Sequence, residues 1–402
     1  MRCLLGLAYP CHDLLHQPFA VTLSNPTTQA MNLALNLAHQ ALWLTSPNPR
    51  VGCVITDADG ALLGQGHTQR AGGPHAEIMA LRDAAARGHS VQGATAWVTL
   101  EPCAHLGRTG PCCDALAAAG IGRVVAALTD PNPQVAGQGM ARLRAAGVQT
   151  DILDTRNDTA VQARELNIGF YSRMERGLPW VRMKVAASLD GQTALQNGQS
   201  QWITSPEART DGHAWRARAC AILTGIGTVL EDDPLLNVRG LNTPRQPHLV
   251  VVDSRLDMPL NAKLLDTQGT GDQARQIWIF TATTEHLDKR GALTARGVTV
   301  IDCPGAGGKV DLAAMLRDLA QREVNELHVE AGHKLNGSFI CEGLVDEFLV
   351  YLAPQLLGPG QVMANLPALT ELNSAVHLAF HAVDRIGPDL RLLLRKRAQR
   401  RG

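Results

Sequence analysis

Three residues able to ligate a soft divalent metal come in sequence: His75, then Cys103 and Cys112. Glu77 follows the histidine by two positions, and Pro102 directly precedes the first cysteine. One imidazole and two thiolates make a three-ligand tetrahedral zinc site whose fourth position is left for water. Zinc lowers the pKa of such a water, so hydroxide becomes available near neutral pH. A glutamate two residues past the histidine suits a proton carrier better than a ligand. Hydrolytic deamination needs both parts, a nucleophile for a ring carbon and a carrier that protonates the leaving amine, and the H-x-E with P-C-x-x-C pattern of zinc deaminases supplies them. Here residues 104–111 separate the two cysteines, a longer gap than that short pattern has, and Cys113 competes with Cys112 as third ligand. The plainer alternatives are a structural zinc, or thiols that never meet a metal. Three ligand types combined with the proline and the glutamate favour catalysis.

The elements that must position these residues follow from periodicity. Apolar residues at Leu33, Leu37, Ala41 and Leu44 recur at steps of three and four, which predicts a helix from Met31. Residues 51–56 read as a strand and 57–60 as a hairpin turn, with the chain returning at 61–63. Helices are expected at 75–87, 112–119, 139–146 and 159–175, and strands at 94–100, 123–128 and 148–153. Strands alternating with helices imply a layered α/β unit. Gly177-Leu-Pro179 interrupts both kinds of element and marks a boundary. Beyond it, strands are expected at 180–187, 221–224, 248–253, 276–280, 298–301 and 326–330. Helices are expected after Ser205-Pro206-Glu207 and at 311–322 and 334–341, with antiparallel strands at 345–353 and 376–395.

Composition narrows the function. Hydrophobic residues are 45% and charged residues 18% of the 402, and 37 basic side chains balance 37 acidic ones. That balance gives no support to a polyanionic partner, and 4% aromatics is sparse for stacking single strands. The odd count of nine cysteines, several in apolar runs, fits a reducing compartment rather than a disulfide framework. No apolar run approaches the ~20 residues of a membrane span. Residues 1–30 read as an extension, disordered or preceding a true start at Met31, and their broken apolar run argues against a secretory signal. The expected setting is cytoplasmic, with no nucleic-acid and no membrane partner.

The second half lacks a G-x-G-x-x-G fingerprint after a strand, and Gly305-Ala-Gly-Gly-Lys309 lacks the spacing of a phosphate loop and reads as an ordinary turn. Val329-Glu-Ala-Gly332 is different, a strand running into a helix start whose free N–H groups could meet a phosphate. Thr224-Gly-Ile-Gly-Thr228 offers a second close-approach turn.

Several stretches together resemble the bifunctional riboflavin-biosynthesis family RibD. In the first half these are Asn48-Pro-Arg-Val-Gly52, Gly72-Gly-Pro-His-Ala-Glu77, the run from Thr99 to Cys112, and Asp130-Pro-Asn-Pro133. In the second they are Lys184-Val-Ala-Ala-Ser-Leu-Asp-Gly191, Ser200-Gln-Trp-Ile-Thr204, Glu231-Asp-Asp-Pro234 and Val329-Glu-Ala-Gly332. The resemblance implies an α/β fold, a cytidine-deaminase-like three-layer domain over 31–176 followed by a dihydrofolate-reductase-like α/β domain over 177–402. It implies Zn2+ on His75, Cys103 and Cys112, with Glu77 catalytic, since in that family the longer gap is normal and the first cysteine of the pair is the ligand. Asn48, His67, His105, Arg108 and Thr109 would hold the deaminase substrate. NADPH would lie along Ala186, Trp202, Thr228, Asp232 and Gly332. The second substrate site would comprise Lys184, Ser200, Arg216, Leu236, Arg239 and Glu330, the two arginines suiting forked recognition of a phosphate. Either Lys184 or Asp232 would stand nearest the proton path of hydride transfer. The implied partner is a small phosphorylated aminopyrimidine, and the chain is expected to form a homo-oligomer, a dimer or larger.

Two other readings compete. A deaminase acting on a base in tRNA, or on free cytosine or guanine, would share the zinc motif, but such proteins usually end after one domain. A binding protein with a structural zinc would need a fourth protein ligand, and Glu77 is the one nearby candidate.

Overall fold

Apolar β-branched runs flanked by turn residues build two sheets in a computed structural model of the chain, which describes residues 26–104, 110–133, 135–267 and 274–397. The first sheet holds β1 (Gly52–Thr56), β2 (Leu62–His67), β3 (Thr95–Val98), β4 (Arg123–Ala126) and β5 (Gln149–Ile152), in the order β2-β1-β3-β4-β5. β1 pairs antiparallel with β2 and β3, whereas β3, β4 and β5 run parallel. Parallel strands need crossovers, and helices supply them. The helices of this unit are α1 (Pro26–Gln40), α2 (Ala76–Ala86), α3 (Cys112–Ala118), α4 (Gln138–Ala145), α5 (Asp158–Leu166) and α6 (Ile168–Arg176), with α3 and α4 crossing between the parallel neighbours β3, β4 and β5.

α1 and α5 cover one face of this sheet, and α2, α3 and α4 the other. The approach of α1 is close enough that a Cβ at Gly52 would sit 1.8 Å from the Ala34 carbonyl oxygen, so only glycine fits there. α1 begins at Pro26 rather than at the expected Met31, and Ala30 is buried in the core. The rest of the expected N-terminal extension, residues 1–25, lies outside the described residues. The single helix expected at 159–175 is two helices. Asn167 divides them because its side chain bonds the backbone of Arg50, accepting from the N–H at 2.8 Å and donating to the carbonyl at 2.9 Å.

The second sheet has nine strands in the order β11-β10-β9-β8-β12-β6-β13-β16-β15. They are β6 (Trp180–Ser188), β8 (Ala221–Gly225), β9 (His248–Val252), β10 (Ile277–Thr281), β11 (Val298–Asp302), β12 (Glu326–Val329), β13 (Glu347–Ala353), β15 (Leu378–Ile386) and β16 (Asp389–Lys396). β11 through β13 are parallel, and the final hairpin β15–β16 adds on antiparallel to β13. The central strands bury both faces, which is why they read as continuous apolar runs. A small ribbon of β7 (Gln192–Leu195) and β14 (Gly360–Val362) stands apart. Helices α7 (Pro206–Arg218), α8 (Ile226–Asp232), α9 (Leu287–Ala295), α10 (Leu312–Gln321) and α11 (His333–Cys341) connect the strands. As expected, Ser205 caps α7, its hydroxyl accepting from the Ala208 N–H at 3.2 Å. Residues 305–309 form a short turn with Gly307 and Gly308 at positive φ, in keeping with the sequence reading. α8, α9, β7 and β14 were not expected from periodicity, being short and weakly patterned.

The two sheets meet along α6 and β12. A Cβ at Gly169 would lie 2.4 Å from Cγ of Glu326. Among the described residues, no helix is long and apolar enough to cross a membrane.

Candidate active sites

The start of α2, the turn after β3 and the start of α3 bring His75, Cys103 and Cys112 together, with one ligand atom of each lying within 4.8 Å of the others. The His75 ring presents Nδ1 to both sulfurs, 3.6 Å from Cys103 Sγ and 3.4 Å from Cys112 Sγ. The Cys112 backbone N–H points at Cys103 Sγ from 3.4 Å, as the free N–H of a helix start does for an anion. The Cys103 thiol is pulled down to about 4, chiefly by the Cys112 thiol donating to it and with help from His75, against burial. Two cysteine sulfurs and an imidazole so placed fit zinc by donor chemistry. Cys113 turns away and its thiol faces Asp114 at 3.6 Å.

Glu77, in the first turn of α2, is 3% exposed, so its carboxylate is nearly shut off from bulk water. Burial pushes its carboxyl up to about 7, the Cys103 sulfur adding to the rise and His75 opposing it. A group poised there exchanges protons readily near neutral pH.

His75, Glu77 and Cys103 open onto a cavity of about 340 Å³ lined also by Asn48, Thr68, Asp130, Asn132, Phe170 and Arg173. Asn48, one of the residues the resemblance implied for the deaminase substrate, is thus in the wall of this cavity. His67 is outside this lining, and its Nδ1 lies 3.1 Å from the Thr68 carbonyl oxygen. His105, Arg108 and Thr109 lie outside the described residues. Asp130 and Asn132 went unassigned in the sequence reading, although the Asp130-Pro-Asn-Pro133 stretch that contains them was the available signal. Burial pushes the Asp130 carboxyl up to about 6, with the Asn132 N–H pulling the other way. The buried Glu101 carboxylate holds this loop in place, accepting from the N–H groups of Asp130, Gly137 and Met140 at 3.2, 2.9 and 3.1 Å.

A second cleft, of about 740 Å³, opens on the other sheet at the carboxyl ends of β6, β8 and β12. It is lined by Lys184, Ala186, Ser200, Arg216, Thr228, Asp232, Leu236, Glu330 and Gly332, nine of the eleven positions the resemblance implied for cofactor and substrate. Trp202 and Arg239 are not in this lining. Trp202 is 68% exposed, with the Arg209 guanidinium 4.4 Å above its ring. Arg239 is exposed, and its Nη1 donates to Asn237 Oδ1 at 2.6 Å.

Arg216 forks onto Glu330 through Nε at 2.5 Å and Nη2 at 2.8 Å. Against burial, which would raise it, Arg216 holds the Glu330 carboxyl well below the usual range. Lys184 is half-buried in the same lining, and its ammonium is pushed down by burial and by Arg216, with Glu330 opposing. Asn336, on α11, was missed entirely, having no motif to mark it. Its Oδ1 is a buried acceptor with no hydrogen-bond partner, in a side chain that lines this cleft. The N–H groups of the helix start at Gly332 suit a phosphate, and the orphaned acceptor suits a hydroxyl or amide donor; a dinucleotide offers both.

A three-ligand cluster fit for zinc with a buried proton-carrying carboxylate, joined in one chain to a second, polar cleft, defines a two-site enzyme of the deaminase–reductase class. Residues 24–128 match the family described as cytidine and deoxycytidylate deaminase zinc-binding region, and residues 179–392 match the RibD C-terminal domain. The riboflavin biosynthesis protein RibD of Escherichia coli K12 is 43% identical over 372 residues, covering 90% of this chain and 98% of that protein. The solved structure of Acinetobacter baumannii RibD (form 1) superposes with a TM-score of 0.82 at 39% identity, covering 92% of this chain and 99% of that one. That of a Thermotoga maritima diaminohydroxyphosphoribosylaminopyrimidine deaminase/5-amino-6-(5-phosphoribosylamino)uracil reductase gives 0.79 at 28% identity, again covering 92% and 99%. The chain belongs to the RibD family, the bifunctional deaminase–reductases of riboflavin biosynthesis, with a zinc-binding deaminase region and an NADPH-dependent reductase domain.

Proposed function

We propose that residues 31–176 deaminate 2,5-diamino-6-(5-phosphoribosylamino)pyrimidin-4(3H)-one. On the same reading, residues 177–402 reduce its product to 5-amino-6-(5-phosphoribitylamino)uracil. The observation that carries the reading is the buried Glu77 carboxylate beside the His75, Cys103 and Cys112 cluster, with Glu77, His75 and Cys103 lining one cavity, in a chain that also holds the second cleft.

His75, Cys103 and Cys112 would hold a zinc ion, which when bound supplies an activated water near neutral pH. Glu77 takes a proton from the attacking water and returns it to the departing amine. The ring carbon gains oxygen, its C–N bond breaks, and ammonia leaves. Asn48, Asp130 and Asn132 offer donors and acceptors to the ring edges, and Arg173 gives the same cavity a cation.

In the second cleft, Ala186, Thr228, Asp232, Gly332 and the Asn336 acceptor would hold NADPH, which supplies the hydride. The ribosyl C1′ gains that hydride, its bond to the ring oxygen breaks, and the oxygen takes a proton. Lys184 rather than Asp232 is the better source of that proton. It is half-buried in the cleft beside Arg216 and Glu330 with a lowered pKa, whereas Asp232 is exposed. Arg216, Glu330, Leu236 and Ser200 would position the phosphorylated sugar, with Arg239 reaching in from the rim. The setting is cytoplasmic, nucleic acid is no substrate, and the working form is a homo-oligomer.

The test is ammonia release followed by NADPH oxidation by zinc-loaded protein given the diaminopyrimidinone, with Glu77→Ala as control. Wild type should do both, and the variant should oxidise NADPH only when handed the deaminated intermediate. No ammonia from zinc-loaded wild type would overturn the substrate assignment.

A further inference from the structure

Residues 233–247 join α8 to β9 with neither helix nor strand, yet four consecutive residues of this loop are gripped by their main chain. The Leu236 carbonyl accepts from Arg275 Nη2 at 2.8 Å, and the Asn237 carbonyl from Arg216 Nη1 at 3.1 Å. Val238 is held twice by Gln246, its N–H donating to Oε1 at 2.7 Å and its carbonyl accepting from Nε2 at 3.1 Å. The Arg239 N–H donates to His213 Nδ1 at 3.3 Å. The gripping side chains come from α7, from the far end of the loop itself at Gln246, and from Arg275 just before β10, so a helix, a strand approach and the loop's own return all hold the 236–239 segment.

The grip has a job. Leu236 sits at φ +44°, a left-handed conformation disfavoured for a residue with a Cβ, and holds it while buried against the second cleft. Such a residue stays put only when its surroundings over-determine it. Side chains that bond backbone groups fix the path of a loop whatever its own side chains do. Here that path sets where Leu236 and Arg239 stand relative to Lys184, Arg216 and Glu330.

We propose that Gln246 and His213 are positioning residues of the reductase site, holding the 236–239 loop by its main chain so that Leu236 and Arg239 meet the phosphorylated sugar. The proposal rests on the reading above that these two residues contact the substrate. His213 accepts at Nδ1, so its ring is neutral with the proton on Nε2. Its surroundings keep it so. Burial, Arg216 and Arg239 push its pKa down to about 4, with Lys184 adding to the fall and Glu330 opposing it.

The experiment uses full-length, zinc-loaded protein, the deaminated intermediate and NADPH. Gln246→Met removes both bonds to Val238 at nearly constant size, His213→Leu removes the acceptor for Arg239, and His213→Asn replaces Nδ1 with an amide oxygen. The first two should raise KM for the pyrimidine substrate about tenfold with kcat within about twofold, as misplacement of a binding group does. KM for NADPH and the rate of ammonia release should not move. His213→Asn should restore KM, and wild-type KM should show no imidazole step between about pH 5.5 and 8, since the ring is already neutral there. Arg239→Gln, run alongside, separates the two levels of the argument. If it raises KM while Gln246→Met and His213→Leu do not, the positioning role is overturned. If it leaves KM unchanged, the substrate reading of Arg239 fails and takes the proposal with it. A parallel loss of ammonia release, NADPH affinity and thermal midpoint would mark the residues as merely structural and also overturn the proposal.

Discussion

Arg50 Nη1 lies 2.6 Å from Glu326 Oε1, and this bond joins the two sheets of the molecule across 276 residues of sequence. Arg50 follows Asn48 and Pro49, both in the wall of the zinc cavity, while Glu326 opens the strand that ends beside Glu330 in the second cleft. The same carboxylate takes Arg182 at 2.9 Å and Arg218 at 2.8 Å. Arg182 continues to Glu347 at 2.5 Å, and Arg395 joins Glu347 to Glu165 at 2.8 and 2.6 Å. Both side chains of the central pair are almost wholly buried. Each cleft is thus built on one end of a shared ionic framework.

Glu326→Gln should destabilise the protein by about 3–5 kcal/mol, because it leaves buried guanidinium groups without their counter-charge. Arg50→Met removes one of three cations and also the hydrogen bonds Arg50 gives to the carbonyls of Leu42, Leu166 and Arg218. In a double-mutant cycle the two changes should be clearly non-additive, with a coupling of about 0.5–3 kcal/mol read from urea unfolding. Additive losses would mean that the pair contributes nothing as a pair.

The same framework sets the acid limit of stability. Although burial would raise their pKa values, Arg218, Arg50 and Arg182 hold Glu326 well below the usual range, and Arg182 with Arg395 holds Glu347 below it. Both carboxyls therefore titrate lower in the folded state than in the unfolded one. Their stabilisation is complete above the unfolded value near ~4.3 and is lost as pH falls through the depressed folded values. Urea midpoints should change little between about pH 7 and 5.5 on this account and drop steeply below about pH 4.5, where the unfolded chain binds more protons. Glu326→Gln should flatten that drop, and an unchanged slope would assign acid unfolding to other groups.

What the sequence disclosed and what it withheld divide along the range of the interactions. The ligand set of His75, Cys103 and Cys112 was legible because metal chemistry is written in residue types and short spacings, and the strand over 52–56 because its apolar run is local. The α/β class followed from the alternation of such segments. Asn167 could not be foreseen as a helix break, since what breaks the helix is a pair of bonds to Arg50, 117 residues away. Gln246 reads in sequence as a plain loop residue, and only the fold brings it onto Val238. Trp202 sits in a matched motif, yet its ring stacks under Arg209 at the surface and not in the cleft, a matter of side-chain direction that no motif records.

Cys112 and Cys113 are adjacent, and their different surroundings should separate them cleanly. Cys112→Ala should lose the zinc and with it ammonia release, whereas Cys113→Ala should keep about one zinc per chain and lose only about 1 kcal/mol of packing, as a small core truncation does. Metal content by atomic emission checks both. Treating wild type with a chelator should abolish ammonia release and leave oxidation of NADPH with the deaminated intermediate intact, since the second cleft draws no residue from the cluster. Zinc loss in Cys113→Ala equal to that in Cys112→Ala would put the ligand assignment in error.

Lys184 offers the sharpest test of the reductase chemistry. Burial and Arg216 lower its pKa, so it gives up a proton more readily near neutral pH than an ordinary ammonium does. An acid of this kind works only while protonated. The rate of NADPH oxidation with the deaminated intermediate should therefore fall as pH rises through the lowered value, with the break below the ~10.4 of a free lysine. Lys184→Met should cost about 10²–10⁴ in kcat, the range typical of losing a general acid, and should erase that alkaline limb. Lys184→Arg keeps the charge beside Glu330 but cannot deprotonate, so it should restore substrate binding without restoring kcat. Were Lys184→Arg to turn over at the wild-type rate, the residue would be an electrostatic partner of Glu330 only, and the proton would have to come from another group lining the cleft, Asp232 first among them.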